Sequence, residues 1–247
     1  MDRGMYVAMT GAKQIMQAQA VNNNNIANVN TTGFRADTFS FTSLPVYGPG
    51  FASRVNAVAS DGGTDFSTGV LNSSGRSLDI AVNGKGFIAV QGANGKEAYT
   101  RAGDLTVTAD GALVTSTGLP VMSESGPVVV PQASSVTIGG DGTVSVVPMG
   151  LSAAAQSQVD RIKLVNPPTA NLQKGTDGLL YLKAGGKATT DESVTVASGV
   201  IESSNVNAAM SLVNMIDLQR QYEFQIKSIN SSDTNEQSAE RLMSPSS

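Results

Sequence analysis

A chain with no histidine and no cysteine lacks the side chains most often used for proton shuttling and soft-metal binding near neutral pH. Its 20 acidic residues leave carboxylate chemistry open, but the positions that stand out are single ones. Asp110 and Asp141 each precede a glycine, which is tight-turn chemistry, and neither sits in the alternating Asp/Asn frame of a calcium loop. Gly84-Lys85-Gly86 lacks the longer Gly-rich frame, closed by Lys and Ser or Thr, that cradles phosphate. No motif concentrates a carboxylate pair for glycosidic cleavage. Asp79 and Arg101 are the best polar candidates among apolar neighbours, and each is read as a structural ion pair or turn contact. No enzyme activity, metal, cofactor or small-molecule substrate is expected.

The remaining chemistry is hydrogen bonding by amides. Asn22 to Asn25 are four successive asparagines, poor helix interior because their side chains compete for backbone groups. They have two readings: a polar helix end, or a belt of amides bonding to adjacent chains in a packed assembly. Thr31-Thr32-Gly33 is a stop signal, with Gly33 free to take positive φ, and Phe34 and Arg35 would anchor the segment after it.

Two helices must position these groups. From Ser204 to Ile229 there is neither Gly nor Pro, and Leu212, Met215, Gln219, Tyr222, Ile226 and Ile229 alternate in steps of three and four. That period describes a helix laying a narrow seam on another helix. Val206, Met210, Val213 and Ile216 form a second stripe, and Ser204 or Asn205 is the expected cap. Extended to Met243, the helix would be roughly 55–60 Å long. Near the other end, Met5, Met9, Ala12, Met16 and Gln19 step in the same way, with small residues Gly11, Ala12, Ala18 and Ala20 for close approach. The two ends are therefore read as a helical pair, or else as two amphipathic helices packed on a globular core.

The expected fold is mixed α and β: long N- and C-terminal helices in a coiled-coil-like pair, with a central all-β domain of short strands. The boundaries read are 1–36 for the first helix, 37–74 for an extended connector rich in Pro and Gly that orders on packing, 75–200 for the β-domain and 201–247 for the last helix. In the β-domain, SLDIAV and GFIAVQ are strands. Hairpins are expected around Asp110-Gly111 and Asp141-Gly142, with further strands at 128–130, 161–165, 179–182 and 193–196. Pro167-Pro168 forces a break.

A net charge of −4 and a pI near 4.8 give no electrostatic footprint for nucleic acid. Charged residues make up only 15% of the 247, which limits the self-repulsion that keeps proteins apart. No apolar run is long enough for membrane insertion. The N-terminus lacks the pattern of a cleaved secretory signal, so the expectation is a cytoplasmic protein or export by another route.

The segments singled out above also carry a likeness. Ala20 to Arg35 (AVNNNNIANVNTTGFR) resembles the N-terminal signature of the flagellar rod, hook and hook-filament axial proteins, with Ile26 in place of the usual Leu. GRSLDIAVNGKGFIAV and YTRAGDLTVTADGALVTSTGLPV are similar to two central family stretches. Glu202 to Lys227 resembles the closing helix, with Asn205 and Val206 at its start and Met215, Ile216, Gln219, Arg220, Tyr222, Glu223 and Lys227 in its body. The opening MDRGMYVAMTGAKQIMQAQA, RIKLVNP and the tail at Arg241-Leu242-Met243 resemble proximal rather than distal rod members. A Glu common around the position of Met210 is absent, so an inter-helix ion pair there is not carried over.

The resemblance implies a non-catalytic structural subunit of the proximal rod in the flagellar basal body. It would be exported by the flagellar type III apparatus without a cleaved signal and assembled in the periplasm with copies of itself and other rod proteins. The resulting helical tube would transmit torque from motor to hook, with the terminal helices as inner axial layer and the β-domain outside. Assembly residues would be Met9, Ala12, Met16, Asn24, Asn25, Ile26, Ala27, Asn28, Thr32, Gly33, Phe34 and Arg35 at the N-terminal end. At the C-terminal end they would be Asn205, Val206, Leu212, Met215, Ile216, Gln219, Arg220, Tyr222, Glu223, Ile226 and Lys227. The alternatives are a distal rod protein, an exported saccharide-binding or wall-acting β-domain protein, or a secreted effector or adhesin.

Overall fold

Two long helices stand near the ends of the chain, α1 (Arg3–Ala27) and α2 (Ala208–Met243), with short strands between them. They belong to a computed structural model that describes residues 3–45, 55–150 and 153–243. Contacts divide the chain into two compact units: Met1–Ala27, Asp37–Gly63 and Asn207–Ser247 in the first, Asn28–Ala36 and Thr64–Val206 in the second.

In the first unit α1 and α2 pack together, and three buried side chains, Ile15, Ala18 and Leu218, make a small core with Phe39 and Tyr222 against it. The pairing is antiparallel. Asn22 donates from Nδ2 to the Ser211 carbonyl at 2.8 Å, while a Cβ on Gly11 would meet the Gln225 side chain. On α1 the inward face is Ala8, Gly11, Ala12, Ile15, Ala18, Asn22 and Asn25 rather than the methionine stripe expected from the sequence. Met9 and Met16 are more than half exposed. Both stripes share one period, so spacing alone does not tell which faces the partner. Small side chains take the inward place because they let the backbones approach.

α2 begins one turn later than Ser204. Its cap is Asn207, whose Oδ1 accepts from the Met210 N–H at 3.0 Å, not Ser204 or Asn205. The asparagine run stays helical to Ala27. Asn25 exchanges two bonds with the Asp37 backbone, Nδ2 to its carbonyl and Oδ1 from its N–H. With Asn22 and Asn25 engaged elsewhere, these amides no longer compete with their own helix. Asp37–Pro45 and Val55–Thr64, inside the expected connector, pair as a two-stranded sheet in this unit. The Gly48-Pro49-Gly50 part of that connector lies outside the described residues.

The second unit is β. Five strands order as Leu164–Val165, Phe87–Gln91, Glu97–Thr100, Leu180–Leu182 and Leu172–Lys174. Three more, Ser157–Arg161, Thr143–Pro148 and Ala133–Ile138, form an antiparallel sheet. Both hairpins close as expected: Leu105–Val107 pairs Leu113–Thr115, and Ala133–Ile138 pairs Thr143–Pro148. Gly111 and Gly142 supply the positive φ of these turns, at 83° and 85°. The expected strand at 128–130 is reduced to an isolated bridge from Val129 to Ala112, although Val128 and Val130 enter the core. That core includes Ile80, Val82, Ile88, Val90, Leu105, Leu113 and Val144, all almost fully buried.

Candidate functional site

The motif after α1 ends in a buried ion cluster of the β unit. Gly33 sits at φ 67°, and its N–H donates to the Glu202 carbonyl at 2.7 Å. A Cβ there would strike the Arg101–Ala102 backbone, so Gly is required for both conformation and space. This turn delivers Arg35 into the interior, where its Nη2 donates to Glu202 Oε1 at 2.6 Å. Arg101, at the end of strand Glu97–Thr100, donates from Nη1 to Glu202 Oε2 at 2.9 Å, and the Gly69 N–H donates to Oε1 at 2.8 Å. Glu202 is wholly inaccessible, and both guanidiniums are nearly so. Burial pulls the Arg101 guanidinium below its ordinary range; Glu202 opposes that shift, and the Arg35 charge adds to it.

Two further contacts fix the motif. The Lys174 ammonium donates to the Arg35 carbonyl at 2.7 Å and lies 3.9 Å from the centre of the Phe34 ring. Asn205 accepts from the Ala36 N–H at 2.7 Å and donates from Nδ2 to the carbonyls of Asp65 and Ser67. Four stretches far apart in sequence thus meet through one carboxylate and one amide. Chemically this arrangement holds segments together. Arg101 is the ion-pairing residue its sequence context suggested. Glu202, Gly69 and Lys174 were not picked out as site residues; Glu202 opens the C-terminal family segment, but its partners become evident only once the strands are placed.

A second buried pair joins the residue before strand Leu164–Val165 to strand Glu97–Thr100, with Lys163 donating to both Glu97 oxygens at 2.9 Å and Tyr99 Oη donating to Oε1. Burial and the neighbouring carboxylate push the Tyr99 phenol up. Among the described residues, no group of three or more Asp or Glu side chains is placed to hold a metal ion.

The expected assembly residues separate into two sets. In the helical unit, Ala12, Asn25, Met215, Tyr222 and Ile226 fall on buried or half-buried positions of α1 and α2. Met9, Met16, Asn24, Leu212, Ile216, Gln219, Arg220, Glu223 and Lys227 are exposed, as are Met210, Val213 and Phe224. Ile26 is half-buried and Ala27 exposed. In the β unit, Gly33, Phe34, Arg35 and Asn205 come together as described, with Asn28, Thr32 and Val206 half-buried. Leu212 and Gln219 leave the expected seam, and Ser211 and Leu218 replace them. The seam shifts by one residue at these two points, so that Ser211 and Leu218 join the half-buried Met215, Tyr222 and Ile226, while Met210, Val213 and Ile216 of the second stripe stay exposed.

Three family models match the chain. The model for flagella basal body rod protein covers residues 5–35. The flagellar hook protein FlgE/F/G D1 domain covers 81–146, and the flagellar basal body rod FlgEFG protein C-terminal covers 197–242. The chain is 40% identical to the flagellar basal-body rod protein FlgF of Escherichia coli strain K12, over the full length of both. It is 39% identical to the FlgF of Salmonella typhimurium strain LT2, again over the full length of both. It is 33% identical to the flagellar basal-body rod protein FlgG of Buchnera aphidicola subsp. Schizaphis graminum, over 93% of this chain and 95% of that one.

Proposed function

This chain belongs to the FlgF family of flagellar basal-body rod proteins, and from that premise we propose that it is a non-catalytic structural subunit of the proximal rod that polymerises through its terminal helices. The observation that carries this reading is the outward face of the helical unit. Met9 and Met16 on α1, and Met210, Leu212, Val213, Ile216 and Phe224 on α2, are each close to half exposed or more. A monomer has little reason to leave such stripes in water, whereas copies and related rod subunits covering them gain about 25 cal/mol per Å². Coiled-coil contacts between subunits, an inner layer of helices and an outer layer of β units belong to this reading. So do residence of the rod in the periplasm, torque transmission from motor to hook, and delivery by the flagellar type III apparatus without a cleaved signal.

Ile216→Asp tests it. The residue is 49% exposed, so the purified monomer is expected to melt as wild type does. Cells carrying the variant are expected to lack complete rods and motility. Normal rods in those cells would remove α2 from the assembly surface.

A further inference from the structure

Arg35 and Arg101 are buried side by side but share a single carboxylate. Their bonds to Glu202 and to the carbonyls of Val82 and Gly84 use Nη2 of Arg35 and both terminal nitrogens of Arg101. Left over are Nε and Nη1 of Arg35 and Nε of Arg101, each buried with no hydrogen-bond partner. Both side chains line a cavity of about 10 Å³, whose wall also includes Gly33, Lys174 and Gly178. That space admits one atom-sized occupant.

We propose that this cavity is a binding site for one small monovalent anion of the chloride class. A water molecule is the neutral competitor, and it fits the site worse on two counts. Nε carries one hydrogen and Nη1 two, so the orphaned donors outnumber the two bonds a water oxygen readily accepts, whereas a spherical halide takes several from any direction. The cluster also holds two guanidiniums against one carboxylate, and a neutral occupant leaves that excess uncompensated in a low-dielectric interior. Polyatomic oxyanions exceed the space. The bound anion would tie the Thr32–Arg35 turn to the β unit as a counter-charge shared by two arginines.

Two measurements on the full chain test the site. Crystals soaked in sodium bromide and measured at the bromine absorption edge should show an anomalous peak at hydrogen-bond distance from Arg35 Nη1 or Nε. A well-ordered cavity holding only water would overturn the proposal. In solution, the β unit's melting temperature should rise by roughly 3–5 °C for each tenfold increase in chloride above its dissociation constant, at ionic strength held constant with gluconate. Arg35→Lys keeps a positive charge beside Glu202 but removes Nε and Nη1 of Arg35 and leaves only Nε of Arg101, so it should sharply reduce the chloride dependence. Equal melting temperatures for wild type in chloride and gluconate at every concentration would sink the idea without recourse to any variant.

Discussion

Glu202 takes one guanidinium on each carboxylate oxygen, Arg35 on Oε1 and Arg101 on Oε2, and no solvent reaches it. Glu202→Gln preserves shape yet strands two buried guanidiniums, and removing one partner of such a cluster costs about 3–5 kcal/mol. Urea denaturation followed through the β unit's circular dichroism should register that loss; a change below about 1 kcal/mol would mean that water reaches the cluster. Tyr181 supplies a pH signature. Burial, aided by its 2.6 Å bond to Asp177 Oδ2, pushes the phenol from its ordinary value of 10 up to about 12. The folded state therefore holds this proton more tightly than the unfolded chain. Its contribution is complete below pH 10 and is lost as pH rises through about 12. Melting of Tyr181→Phe should accordingly fall less steeply over that interval than wild type.

At the scale of elements, α1 and α2 are held by little: Ile15, Ala18 and Leu218, a flanking Phe39 and Tyr222, and amide bonds such as Asn22 to Ser211. A 25-residue and a 36-residue helix joined by so small a core depend on each of its members. Leu218→Ala should destabilise the pair by about 2–5 kcal/mol, the range for deleting a buried leucine. Hydrogen exchange is the direct readout. Amides of α1 and α2 should exchange faster in the variant, while those in Phe87–Gln91 and Glu97–Thr100, in the separate β core, keep their protection. Uniform acceleration across both units would show that they unfold as one.

Over the whole molecule, apolar side chains are distributed in two ways. The β unit encloses most of its large ones, Ile80, Ile88, Leu105, Leu113 and Leu164 among them, in a core of its own, and leaves Val70, Leu71, Val129 and Met149 exposed. The helical unit leaves Met9, Met16, Met210, Leu212, Val213, Ile216 and Phe224 outside. Ile216→Asp and Leu218→Ala therefore separate two tasks on opposite faces of one turn of α2. The first is expected to spare the monomer and stop the polymer, the second to loosen the monomer itself.

What the sequence determined was periodicity and punctuation. The 3–4 spacing marks both helices, with neither Gly nor Pro in α2, and Asp110-Gly111 and Asp141-Gly142 mark their hairpins, because each rests on local backbone preference; α1 itself ends at Ala27, ahead of the stop read at Thr31-Thr32-Gly33. The motif residues Gly33, Phe34, Arg35 and Asn205 were legible through family likeness, without their partners. The tertiary structure alone decided which helical stripe faces inward, because Met9-Ala12-Met16 and Ala8-Ile15-Ala18 satisfy nearly the same period. It likewise decided that the asparagine run continues α1, since Ser211 and Asp37 occupy the amides that would otherwise compete with the helix. It also brought Glu202 between Arg35 and Arg101, 167 and 101 residues away along the chain. Spacing cannot specify such a meeting: a buried charge finds its partner only after strand pairing has fixed which distant segments share an interior.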